Sequence, residues 1–64
     1  MKELTFEGKK YHLIWEDLGS FLRLNVMDGP TLLGYKEMSF MSEKTSDLEK
    51  YVLKSILRQN GLFK

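Results

Sequence analysis

The stretch from Ser46 to Phe63 constrains the fold more than any other part of the chain, because it alone has the length and period of a helix. Ser46-Asp47-Leu48-Glu49 has the form of a capping box: the serine oxygen accepts from the Glu49 N–H, and the Glu49 carboxylate reaches back to the Ser46 N–H. That places a helix at about 47–59, with no Gly or Pro inside it. Arg58 falls in the last turn, and Asn60-Gly61-Leu62 supplies the left-handed position and apolar return of a Schellman stop. At about 100° per residue, Leu48, Tyr51, Val52 and Ile56 share a stripe that reads as the core face, while Lys50, Lys54 and Arg58 lie opposite. Leu53 and Leu57 fall on a flank beyond that stripe, so the apolar arc is wider than one sheet contact needs. Either the sheet curls round the helix, or Leu62-Phe63 covers the flank, or a partner does.

Sixty-four residues are enough for one domain, 1–64, but a chain of that length buries only about 60% of the surface its unfolded form exposes. Its stability is therefore marginal unless association adds to it. Cysteine is absent and His12 is the one histidine, so disulfides, thiolate metal sites and histidine clusters all drop out. No metal or cofactor is expected. Ten Lys/Arg against nine Asp/Glu give a net charge of +1, which is not the electrostatic footprint of a nucleic-acid binder. No apolar run approaches the roughly 20 residues that span a bilayer, and the N-terminal MKELTFEG alternates rather than forming a signal-peptide core. The expected location is the cytoplasm, and no membrane partner is expected.

The remaining chain reads as strands at about 2–7, 10–16, 20–27 and 32–40. Gly8-Lys9 suits the centre of a type II′ hairpin, which pairs Glu7 with Lys10, Phe6 with Tyr11 and Leu4 with Leu13. In that register Leu4, Phe6, Tyr11, Leu13 and Trp15 emerge on one face, and Glu3, Thr5, Glu7, His12 and Ile14 on the other. Leu22, Leu24 and Val26 alternate as the core face of the third strand. Asp28-Gly29-Pro30-Thr31 reads as a four-residue loop that sets Met27 against Leu32, Val26 against Leu33 and Leu24 against Tyr35. Gly34 is then placed on the outer face opposite Asn25, at a bulge or close approach. The expected architecture is α+β, a four-stranded antiparallel β-meander of two hairpins with one C-terminal helix across one face, ββββα.

Catalytic chemistry has little support. His12 stands opposite Thr5 in this register without a nearby nucleophile or acid. The stretch Gly29 to Gly34 lacks the Lys-Ser/Thr end of a P-loop and precedes no helix, so it reads as a turn. Glu3, Glu7, Glu16 and Asp17 read as solvated charges. The surplus is apolar instead: Ile14, Phe21, Met27, Leu32 and Met38, with Arg23, Asn25, His12 and Lys36 among them, should project from the face away from the helix. The expectation is a non-enzymatic interaction module, a homodimer that acts as an inhibitor or adaptor by covering a surface of another macromolecule. A chain of this size beginning at Met1 fits a small regulator of phage or mobile-element type. Its interface would use Ile14, Phe21, Arg23, Met27, Leu32, Met38, Leu53 and Leu57. The alternative is a nucleic-acid-binding regulator that uses the basic stripe Lys50, Lys54 and Arg58, extended by Lys64.

Overall fold

A computed structural model of the chain describes residues 2–62. Four strands, β1 (Lys2–Phe6), β2 (Lys9–Asp17), β3 (Phe21–Asp28) and β4 (Thr31–Ser39), precede one helix, α1 (Ser46–Gln59). The strands form a single antiparallel sheet in the order β1-β2-β3-β4, so the ββββα meander expected from the sequence is the fold. The core lies between α1 and one sheet face, where Tyr11, Leu13, Leu24, Val26, Val52, Leu53, Ile56 and Leu57 are buried, with Leu4, Phe6, Trp15, Leu33, Met38 and Leu48 packed round them.

The first hairpin turns one residue earlier than the sequence suggests. Glu7 (φ 52°) and Gly8 (φ 81°) both take positive φ, the signature of a type I′ rather than a type II′ turn, and Phe6 closes on Lys9. Leu4 therefore faces Tyr11 and Glu3 faces His12. This register differs from the expected one by two residues, and because the side-chain period of a strand is also two, every side chain keeps its face while changing its neighbour.

The second hairpin departs further. Met27 faces Leu32 as expected, but the turn is the two-residue Gly29-Pro30 between Asp28 and Thr31. A bulge then shifts the register between Met27 and Val26, so that Val26 faces Gly34 and Leu24 faces Lys36. One extra residue inverts every later side chain. Gly34 moves from the expected outer face to the core face, where a Cβ would stand 3.1 Å from both Cδ1 and Cγ2 of Ile56. Met38 turns inward against the core, and Lys36 takes core-face parity at the sheet margin, while Tyr35 and Glu37 come out in their place.

The N-cap is also displaced. Thr45, not Ser46, caps α1: its Oγ1 accepts from the Leu48 N–H at 3.1 Å. Glu49 does not reach back to close a capping box, because its carboxylate is held by Lys2 and Trp15 inside the core. The Schellman stop forms as expected, with the Leu62 N–H on the Leu57 carbonyl at 2.8 Å and the Gly61 N–H on the Arg58 carbonyl at 3.1 Å. The Asn60 side-chain amide donates to the Leu33 carbonyl at 3.1 Å, tying the helix end to β4 beside the bulge.

The helix is rotated about its axis relative to the stripe drawn from the sequence. Leu53 and Leu57 are buried at 2% and 0% exposure, and Tyr51 is 61% exposed. The buried arc runs through Leu48, Glu49, Val52, Leu53, Ile56 and Leu57, roughly 180° wide at 100° per residue, with Glu49 near its middle. A Glu49 placed in a surface cap shifts that centre toward Tyr51, whereas the buried Glu49 sets it between Val52 and Leu53. The flank proposed as a partner surface is filled by the protein's own core.

Candidate functional site

Two surfaces and one buried cluster carry the chemistry of this chain. The first surface is the sheet face that α1 leaves open. The pairings arrange it in cross-strand rows: Glu3, His12, Met27 and Leu32; then Ile14, Asn25 and Tyr35; then Glu16, Arg23 and Glu37; then Phe21 and Ser39. Ile14, Met27, Leu32 and Tyr35 occupy adjacent rows and form one apolar block, in which Leu32 and Tyr35 are about half exposed. The next row is polar and internally matched. Arg23 pairs with Glu37, its Nε donating at 3.1 Å, and its guanidinium lies 4.5 Å from the centre of the Tyr35 ring. The hydrogen bond to Glu37 pushes the Arg23 pKa further up, so the cation is fixed. Asn25 donates to Glu16 at 2.7 Å, and His12 Nε2 lies 3.0 Å from Glu3 Oε2. Phe21 stands at the far end, half-buried and separated from the block by the charged row.

The sequence placed Ile14, Phe21, Arg23, Met27 and Leu32 on this face, and they are there. Met38, Leu53 and Leu57 are not; all three belong to the core side. Tyr35 and Glu37 were missed because only the bulge brings them out. Gly34 is the available signal: a glycine inside a strand marks a bulge, and an alternation carried past a bulge has to change parity.

The second surface is the outer face of α1 with the cleft beneath its edge. Lys50 and Lys54 are exposed on the helix, as expected, and Arg58 continues the stripe. Lys64 and Phe63 lie outside the described residues. Lys50, Leu53 and Lys54 line one wall of a cleft of about 240 Å³ whose other wall is Leu4, Thr5 and Phe6 of β1. The cleft exists because α1 packs chiefly over β3 and β4, leaving the β1 margin of the core face thinly covered.

The buried cluster joins the two ends of the chain. Glu49, 4% exposed, accepts from Lys2 Nζ on Oε1 at 2.6 Å and from Trp15 Nε1 on Oε2 at 2.9 Å. Burial alone would push this carboxyl up, but the hydrogen bonds from Lys2 and Trp15 and the Lys2 charge outweigh it and hold the pKa below the ordinary carboxylate range. The group is thus ionised and fully partnered. It fastens the N-terminal strand and the Trp15 edge to the helix, leaving its oxygens engaged by structure. Among the described residues no three His, Asp or Glu side chains gather as a metal-binding group, and no buried side-chain nitrogen or oxygen lacks a partner. No described helix is long and apolar enough to cross a membrane.

No protein-family model matches this chain, and neither a curated protein nor a solved structure matches it closely enough to count as similar.

Proposed function

We propose that the chain is a non-enzymatic interaction module that self-associates through the open sheet face and, as a homodimer, covers a surface of another macromolecule in the manner of an inhibitor or adaptor. The observation that carries this reading is the contiguous block of Ile14, Met27, Leu32 and Tyr35 on a sheet face that no other described element covers. The bordering charges suit a two-fold contact, because Arg23 and Glu37 present opposite signs side by side and can exchange partners with a second copy. Strand spacing of about 4.8 Å makes a four-stranded face roughly 15–20 Å wide, so two such faces bury on the order of 1,000 Å² in total. That is the low end of specific interfaces and corresponds to a weak dimer, on the order of micromolar.

Sedimentation equilibrium across concentration tests the reading. The mass should rise from 7.5 kDa toward twice that value, and Ile14→Ser should shift the rise to higher concentration. A constant 7.5 kDa through the millimolar range would overturn self-association.

A second reading, nucleic-acid contact along Lys50, Lys54 and Arg58, is favoured by their alignment on the exposed side of α1. Salt separates the two: phosphate contacts weaken steeply as salt rises, whereas an apolar contact is nearly indifferent.

A further inference from the structure

The two edges of the sheet are not alike. β4 carries the devices that keep an edge from pairing with another chain: a bulge beside Gly34 and Lys36, a charged side chain at core-face parity. β1 carries neither over its central residues. Its one core-face charge, Lys2, is taken up by Glu49. Within the sheet β1 has a single neighbour, β2. In a two-residue hairpin the closing pair is hydrogen-bonded, so Phe6 with Lys9 and Leu4 with Tyr11 exchange backbone bonds. The N–H and C=O of Glu3 and Thr5 therefore point away from β2, toward the edge. The cleft walled by Leu4, Thr5, Phe6, Lys50, Leu53 and Lys54 opens at this same margin.

We infer that β1 and this cleft form a binding site for an extended, acidic peptide segment of a partner protein, which adds to the sheet as a fifth strand. The backbone of Glu3 and Thr5 supplies the ladder. Successive side chains on the cleft side of the added strand meet different chemistry: an apolar one fills the space over Leu4, Phe6 and Leu53, and an acidic one two residues on reaches Lys50 or Lys54. At about 240 Å³ the cleft is smaller than the sites that enclose a cofactor or substrate and suits one or two side chains. The charge selects the occupant. Among the described residues no acidic side chain lines the cleft, so Lys50 and Lys54 offer two cations to whatever enters. A second copy of β1 is disfavoured by the same residues, since two-fold pairing there would bring both lysine pairs onto one side of the joined sheet, facing each other. This site is separate from the open sheet face, so either can fail without the other.

The test is a titration of isotope-labelled protein with the blocked peptide Ac-TLTETLTE-NH2, followed by amide NMR. The amides of Glu3, Leu4 and Thr5 and the side chains of Lys50 and Lys54 should shift together. Raising salt from about 0.05 to 0.5 M should weaken binding about tenfold. Lys50→Glu with Lys54→Glu, both exposed and expected to leave the spectrum folded, should weaken it at least tenfold, and a peptide with lysine in place of glutamate should not bind. Thr5→Pro removes an N–H that the sheet does not use, so it should fold and abolish binding. Should Thr5→Pro fail to fold, the lysine reversals decide the matter. The inference is overturned if no β1 amide shifts at millimolar peptide, if the reversed-charge protein binds equally well, if the shifts centre on Ile14 and Met27, if the β1 amides shift with protein concentration alone, or if an oligonucleotide competes for Lys50 and Lys54 more strongly than the peptide.

Discussion

At the scale of single residues, Glu49 decides more than its position on a charged-looking helix suggests. It stands among leucines at the centre of the buried arc because Lys2 and Trp15 satisfy both of its oxygens. Replacing it with glutamine keeps the shape but removes the charge that Lys2 meets, and should cost about 1–3 kcal/mol in urea unfolding. The pH dependence has a definite sign. The folded carboxyl lies below its ordinary value of 4.5, so its contribution is complete above that value and is lost as pH falls through the depressed folded pKa. Wild type should therefore lose stability on acidification below about pH 4.5, and Glu49→Gln should lose less over the same interval. Equal acid slopes in the two proteins would contradict the pairing. No local pattern reveals this cluster, since its members are 34 and 47 residues apart in the chain. What the sequence offered at Glu49 was a capping box, which is locally sound and was outcompeted by tertiary partners.

At the scale of elements, alternation and turn chemistry made all four strands and the helix legible, misplaced the first turn and the helix cap by one residue each, and inverted faces where one residue changes parity. Leu33 is that residue, unpaired between Leu32 and Gly34, and it turns Gly34 onto the core face. Gly34→Ala should cost about 1–3 kcal/mol by pressing a methyl group against Ile56, and combining it with Ile56→Val, which removes Cδ1, should cost less than the sum of the two changes. Strict additivity would place Gly34 away from the helix. The cap makes a second comparison. Thr45→Ala should lose about 1 kcal/mol of stability by thermal unfolding, while Ser46→Ala, whose hydroxyl only meets the exposed Lys2 ammonium at 3.3 Å, should stay within about 0.5 kcal/mol. The reverse order would move the helix start by one residue. Of the residues expected at an interface, those before the bulge lie on the outer face, and Met38 beyond it does not, which is the same parity change seen from the functional side.

At the scale of the whole molecule, one helix closes one face of the sheet, and among the described residues no element covers the other. This division is the central claim, and urea unfolding of matched serine substitutions at several protein concentrations tests it most directly. Val52→Ser, at 0% exposure in the core, should lose about 2–5 kcal/mol at every concentration. Ile14→Ser and Phe21→Ser, on the open face, should leave the dilute protein nearly as stable as wild type. Under the proposed self-association they should forfeit only the stability that a dimer would add as concentration rises. If Ile14→Ser or Phe21→Ser unfolded the dilute protein as severely as Val52→Ser, those side chains would belong to a core, and the proposal that the open face is an association surface would fall.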